Sequence, residues 1–93
     1  SATLTTLNLD KTITAGGTAQ TIAAENVYRR GFWIQNLGSS PIYFRFGADA
    51  VASQPSFRLD AGMLYESPAT GCPLASISII CATTGQEFSA GEF

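Results

Sequence analysis

Two runs of alternating side chains organise the centre of the chain. Residues 32–36 and 42–46 each place β-forming side chains with period two, which predicts two strands. The Gly-Ser-Ser-Pro cluster at 38–41 predicts a turn between them, so we expect a hairpin in which Ile34 pairs with Phe44. This register gives the ribbon one core-facing side, formed by Phe32, Ile34, Asn36, Ile42, Phe44 and Phe46.

The other side of this predicted ribbon is a candidate protein interface. It carries side chains that combine apolar area with polar tips, namely Trp33, Gln35, Tyr43 and Arg45. Two interpretations remain open. Either a partner binds this face, or the N-terminal strand of the same subunit covers Trp33.

Shorter runs with the same alternation occupy the rest of the chain. They predict further strands over residues 2–14, 18–23, 57–59, 63–66, 74–82 and 86–93. Gly85, in the Thr-Thr-Gly loop before the last of these, predicts a second hairpin. About eight short strands joined by turn clusters, with no sustained helical period, predict an all-β fold. We expect a small antiparallel β-sandwich of jelly-roll-like form.

The N-terminal residues are expected to behave differently from the rest of the chain. We assign residues 1–12 to an N-terminal strand or arm and 13–93 to the β-sandwich domain. Because a Thr-rich terminal strand is weakly held, it is predicted to reach beyond its own sandwich to a neighbouring subunit or to the surface of another partner. Leu7 and Leu9 would then fill pockets on that partner, while Asn8 and Asp10 stay in water.

The composition of the chain indicates an unusually uncharged surface. Charged residues make up only 13% of the chain and hydrophobic residues 45%, with a net charge of −2. A surface so poor in charge indicates contact with a partner or little self-repulsion. The basic residues are scattered, so the electrostatic footprint of nucleic-acid binding is missing. No apolar run reaches the ~20 residues of a membrane span. We therefore predict neither a nucleic acid nor a membrane as partner.

Residue types needed for catalysis are scarce. The chain has no histidine, its single lysine is Lys11, and its carboxylates are spread singly. Gly16 and Gly17 lack the spacing of a phosphate-binding loop. The two cysteines, Cys72 and Cys81, are expected to be free thiols, and two thiols without histidine do not make a zinc site. We predict a protein that is not an enzyme and has no cofactor and no metal.

The Arg29-Arg30 pair before the central strands allows two interpretations. The arginines can hold loop carbonyls by hydrogen bonds, or they can contact an anion or a neighbouring subunit. Both belong to the candidate interface residues, together with Leu7, Leu9, Trp33, Gln35, Tyr43 and Arg45.

Four segments together resemble small virion structural proteins of tailed bacteriophages. The segments lie at residues 13–22, 29–36, 42–47 and 82–86. The likeness spans 13–88 and consists of turn and strand patterns.

The resemblance implies a location on the virion and no catalytic activity. The expected role is that of a capsid decoration (cement) protein on the capsid exterior, made in the bacterial host cytoplasm. The major capsid protein or another virion protein is then the partner, and a homo-oligomer is expected, with a trimer favoured slightly over a dimer. The alternative is a tail or fibre module that binds a host-surface receptor or glycan.

Overall fold

The computed structural model describes Leu9 and residues 11–93. Within this part the chain forms seven antiparallel strands in two sheets and no helix, which confirms the all-β class. The strands are β1 (Gln20–Ala23), β2 (Phe32–Asn36), β3 (Ile42–Phe46), β4 (Phe57–Leu59), β5 (Leu64–Glu66), β6 (Ile77–Cys81) and β7 (Phe88–Glu92).

The larger sheet has four strands in the order β1-β6-β3-β4. Phe44 lies opposite Ile79 on β6 and opposite Phe57 on β4, so these side chains share one face. Ile77, Ile79 and Cys81 of β6 are buried on this face, which therefore points to the core. Ser78 on the other face of β6 is also buried, where its Oγ accepts the Ala50 N–H at 2.9 Å.

The smaller sheet has three strands in the order β5-β2-β7. Ile34 on the central strand β2 pairs with Tyr65 on one side and Ala90 on the other. Residues 11–13 lengthen this sheet along β7. Thr12 bridges Glu87, and Ile13 donates its backbone N–H to the Gln86 carbonyl at 3.0 Å.

The two inner faces meet in one apolar core. Five aromatic rings of both sheets lie with neighbouring centroids 5.0 to 6.5 Å apart: Phe32, Phe44, Phe46, Phe57 and Tyr65. Isoleucines and Phe88 fill the remainder. Tilted and edge-to-face ring contacts of this kind favour close packing between two sheets.

The predicted hairpin between β2 and β3 is wrong. The two strands lie in different sheets, and Ile34 does not pair with Phe44. The alternation and the turn are as predicted, but the chain crosses from one sheet to the other at that turn. Because β2 and β3 lie in opposite sheets, their apolar faces pack against each other and both are buried. In a hairpin both apolar faces would lie on the same side of one sheet and would need a second layer to cover them.

The Thr-Thr-Gly loop likewise connects two sheets. Gly85 has the left-handed φ of 80° that was expected, yet β6 and β7 belong to different sheets. The remaining consecutive strands also change sheet, except β3 and β4. As a result the antiparallel pairs nest along the chain: residues 11–13 with β7, β1 with β6, β2 with β5, and β3 with β4.

The expected N-terminal arm falls mainly on residues 1–8 and 10, outside the described residues, and Leu7 is among them. Leu9 is only 8% exposed and belongs to the core of its own chain. It therefore packs within the domain and is not free to fill a pocket on a partner. Lys11 and Ile13 lie on either side of the predicted boundary after residue 12, and both form backbone hydrogen bonds within the fold.

Candidate interaction surfaces

The predicted aromatic patch is divided between the two outer faces of the molecule. Trp33 and Gln35 lie on the outer face of the three-stranded sheet. Tyr43 and Arg45 lie on the outer face of the four-stranded sheet. The expected pairs Trp33–Arg45 and Gln35–Tyr43 do not exist, because β2 and β3 are not neighbours in a sheet.

Trp33 is half-buried because its indole packs against a glycine. It stands on the central strand between Gly91 of β7 and Glu66 of β5. A Cβ atom placed on Gly91 would come within 2.7 Å of the indole Nε1. Gly91 is thus needed for close approach of the ring to the neighbouring backbone.

Phe93 repeats this arrangement at the end of the same face. Its backbone forms two hydrogen bonds with Gly31, of 2.8 and 3.0 Å, and its ring lies where a Gly31 side chain would otherwise be. The phenyl ring is 53% exposed. Phe93 was not predicted as a surface residue. The sequence carried no local signal for it, because Gly31 and Phe93 meet only through the pairing of β2 with β7.

An open hollow of about 530 Å³ lies beside the Phe93 ring. Its lining combines one cation and one carboxylate with small and apolar residues: Arg30, Glu66, Ser67, Pro68, Ala69 and Phe93. Arg30 and Glu66 are both exposed, and neither takes part in a salt bridge among the described residues. The charges at this hollow are therefore available to a partner.

The outer face of the four-stranded sheet carries a second groove, of about 390 Å³. Tyr43, Pro41 and Ile80 contribute to its walls. The Arg58 guanidinium stands 6.0 Å from the centre of the Tyr43 ring. Its Nε donates to Asp60 Oδ1 at 2.7 Å, and this hydrogen bond raises the pKa of Arg58 above its ordinary value. Arg45 reaches only the backbone carbonyl of Asp49, at 3.4 Å.

Arg29 and Arg30 have different roles. Arg29 is 4% exposed and forms a salt bridge with Glu92. It also donates to the carbonyls of Pro73, Ala75 and Ala24, which is the loop-holding role considered above. Its buried position removes Arg29 from the surface open to a partner, and Arg30 remains exposed.

The loops that Arg29 holds carry exposed apolar side chains. We call this surface the loop platform and define it by Val27, Tyr28 and Leu74, which are 64%, 54% and 39% exposed. Asn26 donates its N–H to the Leu74 carbonyl at 2.8 Å, and Arg29 donates its own to Asn26. These hydrogen bonds join the loop that carries Val27 and Tyr28 to the loop that carries Leu74.

The groups with chemical reactivity are few and separated. Among the described residues, no three of the Cys, Asp and Glu side chains are close enough to hold a metal ion. Cys72 and Cys81 are free thiols. Burial, and to a lesser degree the charge of Cys72, raises the pKa of Tyr65 above 10.0. The described part of the chain has no helix that is long and apolar enough to cross a membrane.

The chain matches no protein-family model, no curated protein and no solved structure.

Proposed function

We propose that the chain is a non-enzymatic structural protein of a tailed-bacteriophage virion. In this proposal it is made in the host cytoplasm and docks on the capsid exterior as a decoration (cement) protein. The observation that carries the docking is the loop platform, where three large apolar side chains are exposed on loops held by hydrogen bonds from the buried Arg29 side chain.

A platform of this kind suits binding to a preformed surface. Its loops are fixed before binding, so little conformational entropy is lost when they meet a partner. Interface centres are poor in charge, and the platform's defining residues carry none. The function depends on contact area and on many copies per particle, and it needs no chemical step.

The strand order supports a finer description of the fold, which we propose to be a jelly roll. Counting residues 11–13 as a strand adds one to the seven and gives two four-stranded sheets. The four nested antiparallel pairs correspond to one long ribbon rolled over on itself, which is the jelly-roll plan. Viral capsid and lectin domains use this architecture, so it agrees with a virion protein by analogy only.

Binding to particles tests the proposal. Shells of the phage that encodes the chain, prepared without the chain, are mixed with the purified protein and sedimented. We expect the wild-type protein to bind and Val27→Asp to bind at least about tenfold more weakly, because docking would bury an unpaired carboxylate. Val51→Asp is the matched control, since Val51 is also exposed but lies outside the platform. Equal loss in both variants, or no binding by the wild type, would refute the docking.

A tail or fibre module that binds a glycan is the second candidate. The groove beside Tyr43 favours it, because an aromatic wall near the Arg58 and Asp60 side chains offers both an apolar surface and hydrogen-bonding groups to a sugar. Titration with host-surface polysaccharide distinguishes the candidates. If the chain binds the polysaccharide and Tyr43→Ala abolishes that binding while shells are not bound, the second candidate replaces the first.

A further inference from the structure

We propose that two copies of the chain associate about a twofold axis through the hollow beside Phe93. We call this surface the Phe93 patch and define it by Arg30, Glu66, Pro68 and Phe93. The inference goes beyond the proposed docking and does not depend on it. It gives the homo-oligomer expected from the sequence a twofold form, in place of the slightly favoured trimer.

The shape of the Phe93 patch is complementary to itself. The Phe93 ring lies over the Gly31 backbone with about half of its surface exposed, and it forms one wall of a hollow of about 530 Å³. Contact of the ring with Gly31, and the paired backbone hydrogen bonds between these residues, fix the position of the ring. When two copies meet about a twofold axis, the exposed face of each ring can lie over the hollow of the other copy.

The charges of the patch are complementary to themselves as well. Arg30 and Glu66 line the same hollow, both exposed, and neither is in a salt bridge among the described residues. A twofold axis between them places Arg30 of each copy against Glu66 of the other, which forms two equivalent ion pairs around the apolar centre. A different partner whose surface carried charge of only one sign would place a like charge against either Arg30 or Glu66.

The surrounding surface allows the contact to extend. Trp33, half-buried, and Leu64, 51% exposed, continue the apolar area along the outer face of the three-stranded sheet. A stable interface needs roughly 800 Å² per partner, more than the hollow alone supplies. We therefore include this outer face in the contact.

Charge reversal tests the arrangement directly. Sedimentation equilibrium of the purified chain at micromolar concentration should give a dimer. Arg30→Glu and Glu66→Arg should each raise the dissociation constant by about tenfold or more, because each places two like-charged pairs in the interface. The double variant Arg30→Glu with Glu66→Arg should restore the dimer, since both pairs are re-formed with exchanged signs. Arg45→Glu, on the opposite outer face, should leave the dissociation constant unchanged.

Three results would overturn the twofold contact: a monomeric wild-type chain, a trimer, or single reversals that the double variant does not rescue. Circular dichroism of each variant shows whether it is folded. A chain that is monomeric but binds shells would overturn this inference and leave the docking proposal in place. A dimer that responds to charge reversal but does not bind shells would support this inference and overturn the docking proposal.

Discussion

Arg29 and Glu92 form a buried ion pair that joins the loop before β2 to the end of β7. The Arg29 Nε donates to Glu92 Oε1 at 2.8 Å, and both side chains are almost completely shielded from solvent. The remaining guanidinium nitrogens donate to three backbone carbonyls. One side chain therefore fixes the loops that carry the platform.

Replacing Arg29 with leucine should strongly destabilise the domain. The change leaves the Glu92 carboxylate buried and unpaired, which costs about 3–5 kcal/mol. Urea unfolding followed by circular dichroism measures the loss. Arg45→Leu is the control and should change the free energy of unfolding by less than about 0.5 kcal/mol, because Arg45 lies on an outer face and its one described hydrogen bond is 3.4 Å long. Similar losses in both variants would contradict the assigned role of Arg29.

Asn36 is the centre of a second buried network. It is completely buried, donates to the carbonyls of Ser40 and Leu59, and accepts from Gly38 and from Gln86 Nε2 at 2.8 Å. Asn36→Leu would remove the side-chain partner of the Leu59 carbonyl and of the Gly38 N–H, whereas Gln86 Nε2 would still donate to the Ser40 carbonyl.

We expect Asn36→Leu to lower the free energy of unfolding by about 2–4 kcal/mol, since the Leu59 carbonyl and the Gly38 N–H lose their side-chain partner together. Gln35→Leu is the neighbouring control and should be much milder, because Gln35 lies on the outer face and its side chain makes one long hydrogen bond of 3.4 Å. Thermal unfolding of both variants provides the comparison. If Asn36→Leu is as stable as the wild type, the hydrogen bonds of Asn36 to the turn at residues 38–41 do not stabilise the domain.

Gly91→Ala should displace the Trp33 indole. The added methyl would lie 2.7 Å from Nε1, so the ring must move. Trp33 is the only tryptophan, and its fluorescence emission should shift to longer wavelength as the ring becomes more exposed. The stability cost should be about 1–3 kcal/mol, as for other overpacked sites.

Gly62→Ala is the control for a glycine substitution alone. Gly62 has a left-handed φ of 78° with open space around it, so alanine there strains the backbone without touching Trp33. Unchanged emission in Gly62→Ala and shifted emission in Gly91→Ala is the expected pair of results. Identical spectra for all three proteins would show that the indole does not rest on Gly91.

Tyr65 should make the domain less stable in alkaline solution. Burial raises the pKa of its phenol in the folded state above the ordinary value of 10.0. The unfolded chain therefore loses this proton first as the pH rises. The stability contributed by the neutral phenol is fully present below pH 10.0 and falls as the pH rises toward the raised folded-state pKa.

Tyr65→Phe removes this titration and should flatten the decline of unfolding free energy above pH 10.0. Urea unfolding at a series of alkaline pH values measures both slopes. Tyr28→Phe is the control, because Tyr28 is 54% exposed. An equal slope in Tyr65→Phe and the wild type would contradict the assignment.

Local pattern predicted the inward and outward residues but not the sheet of each strand. Period-two alternation identified Ile77, Ile79 and Cys81 as buried, and glycine chemistry identified the turn at Gly85. A hairpin and a crossing between sheets produce the same alternation, however. The choice depends on long-range contacts such as the hydrogen bond between Asn36 and Gln86, which are 50 positions apart.

The same limit applies to the candidate surfaces. The outward direction of Trp33 and Tyr43 followed from alternation, but their placement on opposite faces followed from the sheet assignment. The burial of Arg29 depended on Glu92, which is 63 positions away. Phe93 could be recognised only once β7 was known to lie beside β2.

Location of the chain in the intact virion tests the central claim most directly. Under the proposed function, a cryo-electron microscopy map of the phage that encodes the chain should contain β-sandwich density on the outer surface of the capsid, repeated across the lattice. The loop platform should face the shell. Density for the chain in the tail or fibres, or purified virions that lack the chain altogether, would contradict the capsid assignment.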